Sequence, residues 1–482
     1  MDTPGPLHGH EVLERDDLRR ALEEHDFAAV FALIKKWGGL SQNKIAVACA
    51  LTPGKVSHVI TGKHQIASMA VIRRISDGLA IPGAMLGLAS RPWEATSPPD
   101  SKPPTTDDRQ PSKGVPWCPD ATVGLAHHLT RSDLVMTRRV AARTLSAAAV
   151  TGVTLLDSLE GWLQPATADN RDRRPGRLGA CDLDDLETTA RTFRAWDHKY
   201  GGGLRRKAVL GQLNEVASAL DENQPRAIER RLHGVMAQLA GTAATMAWDS
   251  GLQRRAQDYY LLALRAAHAA GDTAFGANVL AGMARQMLYG DRPQDALELV
   301  RLAQDGVRTT AGPRLRAMLH TREAWAYAAM GRSAAFRRAT GQSHEALAST
   351  GHSDEPHWIS YFDAAELAGV TGGRLLDLAR QAPRQHARSA AEAIRTALDH
   401  RSPEARRSHA LDWIGLAECH FLVGDTTEAA ACTRRAVDAA GLTQSARVRD
   451  QLSRLYPYTV GREAPGSLRE AREEIRTLLA VA

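Results

Sequence analysis

Carboxylates are missing from 26 consecutive residues, Ser41 to Ile66 (SQNKIAVACALTPGKVSHVITGKHQI), a stretch that nonetheless holds three lysines and two histidines. Aromatics make up only 5% of the 482 residues, and β-branched runs are scarce beside abundant alanine and arginine. That balance argues against a β-rich fold and favours helix. There are five cysteines, none of them in C-x₂-C spacing. An odd, scattered set does not make a disulfide framework or a cysteine zinc site, so reduced, mostly structural thiols are expected. A long apolar run is absent too. RRVAARTLSAAAVTGVTLL (Arg138–Leu156) puts paired arginines before about 12 apolar residues, in the manner of an export signal but far from the N-terminus. That is short of the roughly 20 residues a spanning helix needs, so a buried Ala-rich helix or connector is expected. The opening MDTPGPLHGHEVLERDD is polar and does not read as a secretory signal; with the reduced thiols, a cytoplasmic location away from membranes is expected.

Motifs for catalysis are equally thin. H-E-x-x-H does not occur, and GGG at Gly201–Gly203 lacks the trailing Lys-Ser/Thr of a phosphate loop. His127–His128 and Cys419–His420 are adjacent pairs, and helical neighbours point about 100° apart, so neither pair makes a metal site unaided. Asp197, His198, Lys199 and Tyr200 could be imagined as acid–base machinery, but no nucleophile motif accompanies them. The expectation is a non-enzyme with no catalytic residue, metal or cofactor.

The charge that is present is confined. Residues 31–90 hold seven basic side chains (Lys35, Lys36, Lys44, Lys55, Lys63, Arg73, Arg74) against one acid, Asp77; that excess equals the +6 of the whole chain. A cationic patch on one small region suggests a polyanionic partner, most often nucleic acid. In the acid-free stretch Ser41 is a natural N-cap for SQNKIAVACA, LTPG is a turn, and GKVSHVIT is a second short helix closed by Gly62. Ile45, Ala46, Cys49, Val56, Val59 and Ile60 can pack inward, leaving Gln42, Lys44, Lys55, Ser57 and His58 outside. SMAVIRRISDGLAI adds a supporting helix. A carboxylate near DNA phosphates would weaken the counterion-release term that drives binding, which explains its absence.

After Arg91 comes RPWEATSPPDSKPPTTDDRQPSKGVP, which reads as an extended linker. A helical connector follows, and RDRRPGRLG (Arg171–Gly179) makes a second break. From about 182 the pattern repeats. Helices ending at Gly251, Gly290, Gly331, Gly372 and Gly424 are spaced by about 40 residues, with a last gap of 52. Seven residues before each glycine stands Ala244, Met283, Ala324, Ala365 or Ala417, small in all but one case. Helix pairs at this period build an α-solenoid. The expected fold is therefore all-α: an N-terminal helix-turn-helix domain (1–90), a Pro-rich linker (91–117), a helical connector (118–181) and a C-terminal solenoid (182–482).

Residues 18–90 resemble the XRE-type helix-turn-helix of bacterial repressors, through the leading Ser41-Gln42, the S-x-x-x-x-G-K of Ser57–Lys63 and the RISDGLAIP that follows. The repeats resemble degenerate tetratricopeptide repeats. The whole arrangement, with FRAWDHKYGGGLRRKAV (Phe193–Val209), resembles a group of high-GC bacterial regulators that join the two. The resemblance implies phosphate contact for Gln42, Lys44 and Lys63, and base reading for Gly54, Lys55 and His58. Pro53 and Gly54 depart from the family's Gln or Ser and make no bidentate base contact, which shifts base reading onto Lys55 and His58. One short domain reads only a half-site, so a homodimer on double-stranded DNA is expected, and the resemblance implies a repeat domain that senses an effector. A protein-interaction scaffold with secondary DNA binding is the alternative.

Counting 12, 9 and 6 residues back from each terminal glycine gives one helix face. The positions are Leu239, Thr242, Thr245; Asn278, Ala281, Ala284; Leu319, Arg322, Trp325; Ser360, Asp363, Glu366; and Asp412, Gly415, Glu418. A face used only for packing would stay uniformly apolar. This one runs from small to basic-aromatic to acidic. It suggests a ligand site built on Asn278, Arg322, Trp325, Asp363, Glu366, Asp412 and Glu418. The expected ligand is a peptide or a small molecule, cationic if it meets the acids. A merely solvated stripe is the plainer reading.

Overall fold

A computed structural model describes residues 6–7, 10–64, 66, 69–86, 88, 116–134, 149–165, 176, 178–200, 206–349, 355–443, 445–460 and 466–480. Among these there are helices and no strands. The Pro-rich stretch through Val115 lies outside the described residues, as do most of Arg138–Leu156, Arg171–Gly179 and Gly201–Gly203.

The N-terminal unit holds α1 (Asp16–Glu23), α2 (Phe27–Trp37), α3 (Gln42–Ala48), α4 (Pro53–Ile60), α5 (Met69–Leu79) and α6 (Gly83–Leu86). Side-chain caps set the register. Asp26 accepts from Ala29 N at 3.1 Å, Ser41 from Lys44 N at 3.3 Å and Thr52 from Lys55 N at 3.3 Å, with Pro53 preset for the first turn of α4. Ile45, Ala46, Cys49, Val56 and Val59 are buried in one core with Phe31, Ile72 and Ile75. Ala50, in the turn between α3 and α4, sits at φ 51°. A side chain there costs roughly 1–2 kcal/mol, partly offset for glycine by its chain entropy. Ala50→Gly is therefore expected to stabilise this unit by about 0.5–1 kcal/mol, read as a higher midpoint in urea.

A connector of α7 (Pro119–Leu134) and α8 (Val153–Asp157) precedes the body. It is part of the packing, not an appendage: Leu125, Leu129 and Trp162 belong to the large core, and Trp162 lies against Gly276 and Gly306. The body runs through α9 (Ala180–Tyr200), α10 (Arg206–Leu220), α11 (Arg226–Asp249), α12 (Gln253–Ala270), α13 (Thr273–Tyr289) and α14 (Pro293–Gly306). It continues with α15 (Pro313–Ala329), α16 (Ser333–Ala348), α17 (Ala364–Ala379), α18 (Pro383–His400), α19 (Arg406–Val423), α20 (Thr426–Gly441), α21 (Ala446–Leu455) and α22 (Gly466–Ala480). From α11 to α20 the helices pack in consecutive pairs, consistent with an all-α solenoid.

Gly251, Gly331 and Gly424 take positive φ at the turns, as the repeat pattern requires. Gly372 does not end a helix; it lies in the middle of α17. A Cβ there would stand 2.6 Å from Ile394 Cγ1, so this glycine serves the close approach of α18. The turn falls instead at 380–382, so the interval that follows Gly331 is longer than the glycine spacing predicts.

The body also closes on itself. Helix α9 packs against both α11 and α19, and Asp249 at the end of α11 accepts from Arg407 Nη1 and Arg447 Nε at 2.7 Å each. The N-terminal unit docks on α14. Arg73 donates to the buried Glu298 at 2.6 Å, and His25 Nδ1 lies 2.6 Å from Arg301 Nη2. Burial, with the charge of Arg301, holds His25 well below its ordinary value, so its ring is neutral.

Candidate functional site

Two surfaces carry chemistry. The first is the α3–α4 pair. Gln42 is half-buried and Lys44 exposed on α3. On α4, Gly54 and His58 are exposed, Lys55 is half-buried, and Lys63 stands exposed just beyond. A Cβ on Gly54 would meet nothing within 4 Å, so this edge is open. The six residues expected to meet DNA thus fall on two capped helices and the turn after them. Arg73 leaves the cationic field, because it is turned to Glu298 on the body. Val47, 82% exposed, is an apolar side chain in this otherwise polar region.

The second surface is a cavity of about 700 Å³ inside the body, walled by helices from α9 to α21. Asn278, Arg322, Trp325, Glu366, Asp412 and Glu418 all line it. Asp363 does not. It is the exposed N-cap of α17, accepting from Glu366 N at 2.8 Å. The misplacement follows from Gly372: counting back from a glycine that is not a terminus puts Ser360 and Asp363 before the helix begins. Counting by threes has a second cost, since each step lags the 3.6-residue turn by about 60°. Ala284, two steps from Asn278, is buried in the core, whereas Arg285 reaches the cavity.

The acids do not present free negative charge. Arg401 donates to Glu366 at 2.6 Å and to Asp412 at 2.7 Å, and Arg380 grips Glu418 through two bonds of 2.6 and 2.8 Å. Burial opposes ionisation of Glu366, but Arg401 outweighs it and holds this carboxyl below its usual range. Asp412 shares the same guanidinium and loses the contest. Burial, aided by the Glu366 charge, pushes it up to about 7. The expected attraction for cations therefore has no unpaired carboxylate behind it at the three positions that line the cavity, Glu366, Asp412 and Glu418.

Sequence reasoning missed most of the arginines. Nine arginines and six carboxylates line the cavity, so the wall is cationic on balance. Arg374 stacks on Trp325 at 3.6 Å and pairs with Asp377, and Arg194 donates to the Trp358 carbonyl at 3.1 Å. Asp197 accepts from Thr245 at 3.0 Å, and burial pushes its carboxyl above the ordinary value. The helical continuation Asn278–Ala281–Arg285 was the legible signal for one of these arginines. Arg401 and Arg407 flank a turn and carry no periodic signature.

One further cluster lies outside both surfaces. His420, Glu428 and Cys432 bring possible ligand atoms within 4.8 Å of one another on consecutive helices. Arg395 Nη2 stands 2.9 Å from His420 Nε2, which places a competing cation at that nitrogen, and burial pushes the Cys432 thiol up to about 11. All five cysteines are unpaired, and no described helix is long and apolar enough to cross a membrane. A scan of protein families and searches of curated proteins and of solved structures return no match to this chain.

Proposed function

We propose that the chain is a sequence-specific DNA-binding transcriptional regulator of the helix-turn-helix type, with a tetratricopeptide-like body that binds an effector and pairs two copies. The observation that carries this reading is the α3–α4 pair: two short capped helices, free of acid and open along the edge that bears Lys55 and His58. Such a pair suits a major groove. Its lysines and helix N-termini meet phosphate, and the first turns of α4 face base edges. One unit reads a half-site, so a two-fold dimer is the natural complement of a palindromic operator.

The docking geometry supports coupling. The N-terminal unit is held on α14 by Arg73 and His25, on a side that leaves α3–α4 exposed. Helix α14 is the pair partner of α13, which carries Asn278 and Arg285 into the cavity. An effector that binds two arrangements of this pair unequally shifts the position of the DNA-reading unit.

The test is duplex binding. With about four to six phosphate contacts, log K falls against log salt with a slope near −4 to −5. Lys55→Ala with His58→Ala is expected to abolish preference for the selected sequence, about 1–3 kcal/mol per lost base contact, while nonspecific affinity survives. Undiminished preference in a gel shift removes the base-reading assignment. A flat salt response favours the protein-interaction scaffold instead.

A further inference from the structure

Arg322 is the anomaly of the body. It is 3% exposed, lines the cavity, and makes no hydrogen bond or ion pair to a described residue. Its electrostatic surroundings are Arg285, Tyr361, Glu366 and Arg374, and Glu366 is already taken by Arg401. None of its nitrogens is among the fully buried, unpartnered polar atoms, so its donors open onto the cavity, where water or a ligand has to satisfy them. Arg285 repeats the pattern. It lies over Trp248 at 4.9 Å, its Nε is buried without a partner, and the polar group that faces it is the neutral hydroxyl of the buried Tyr260, not a carboxylate. Arg194 spends one donor on a backbone carbonyl and meets no described carboxylate in hydrogen-bond range.

The other six arginines on the wall each reach a carboxylate at close range: Arg374 and Arg380 at Asp377, Arg401 at Glu366 and Asp412, Arg407 and Arg447 at Asp249, and Arg454 at Asp450. The unmatched charge is thus concentrated in one part of the cavity. Phe275, Tyr260, Trp325 and Tyr361 wall the same space, which gives an apolar surface around the cations.

We propose that the cavity binds a small organic anion, bearing carboxylate or phosphate groups, with Arg322 as its central cation and Arg285 and Arg194 beside it. The ligand supplies the missing acceptors, and planar guanidinium forks suit either oxyanion. A volume of about 700 Å³ accommodates a drug-sized molecule whose apolar part meets the aromatic wall. This deepens the effector reading of the cavity and does not depend on DNA binding.

The experiment uses the full chain and three probes: citrate for carboxylates, inorganic pyrophosphate for phosphates, and spermidine as a cation. Calorimetry and thermal melting are run on wild type and Arg322→Gln. Glutamine removes the buried charge, so without any probe Arg322→Gln is expected to melt higher, by on the order of 2 °C. Citrate or pyrophosphate is expected to bind wild type at one site per chain and to raise its melting temperature, whichever binds tighter naming the anion class. Affinity is expected to fall at least tenfold in Arg322→Gln. Absence of binding by both anions, equal binding by the variant, or tighter binding of spermidine overturns the inference. Anion binding that leaves duplex affinity unchanged keeps the anion site and removes its regulatory role.

Discussion

Asp249→Ala is expected to destabilise the body by about 3–5 kcal/mol, because it leaves two buried arginines without their carboxylate. Asp249 is 3% exposed and accepts from Arg407 and Arg447, which lie 158 and 198 residues further along the chain. Arg447 also lies over Trp248 at 4.4 Å, so the three residues fix the end of α11 against α19 and α21. Burial disfavours the Asp249 anion, yet the two guanidinium groups outweigh it and hold this carboxyl below its ordinary range. A depressed carboxyl adds stability above its unfolded value, near 3.9, and loses it as pH falls through the folded one. The gap between wild type and Asp249→Ala is therefore full at neutral pH and closes in acid. Urea denaturation at pH 7 and pH 3 measures both. An unchanged midpoint at pH 7 would mean that the closure is held by apolar contact alone. Replacing all three residues with apolar ones of similar volume is expected to recover most of the loss, since paired buried charges add little net stability.

What the sequence shows of this molecule depends on how local the cause is. The caps at Ser41 and Thr52, the proline at 53 and the glycine at 62 act within one turn, so the α3–α4 pair is readable from its residues. The glycines at 251, 331 and 424 are readable for the same reason, because a positive φ leaves few other choices. Gly372 shows where this reasoning fails. A glycine is also required where two helices approach closely, and composition does not separate the two uses. The cavity is harder. Asn278, Arg322, Trp325 and Glu418 are legible as polar or aromatic breaks in an apolar face, but their partners come from far along the chain. Arg401 meets Glu366 across 35 residues, and Arg380 meets Glu418 across 38. Those pairings reverse the electrostatic reading of the stripe, from a site expected to suit cations to one whose unmatched charges are arginines.

Gly78→Ala is expected to unfold the N-terminal unit while leaving the body intact. Gly78 lies on α5 where it crosses the C-terminal end of α3, and a Cβ there would stand 1.8 Å from the Ala48 carbonyl oxygen, 2.6 Å from its carbonyl carbon and 3.2 Å from Cys49 N. These are backbone atoms at the last turn of a helix and cannot move aside as a side chain would. Relief requires α5 to shift away from α3, which opens the core around Ile45, Ile72 and Ile75. Overpacking of this kind costs typically 1–3 kcal/mol and more when the obstacle is backbone, so about 3 kcal/mol or above is expected here. A small unit with one core has little reserve against that loss. Gly54→Ala is the internal control. It adds the same methyl to an exposed helical glycine with nothing within 4 Å, and should gain up to about 1 kcal/mol of helix propensity. Amide exchange at Ile45, Val56 and Ile75 against that at Leu262 and Val300 separates the unit from the body. Rapid exchange confined to the first group, with specific duplex binding lost, is the expected outcome. Protection in Gly78→Ala equal to that in Gly54→Ala would show that α5 does not set the position of the α3–α4 pair, and the proposed reading head would then lack its support.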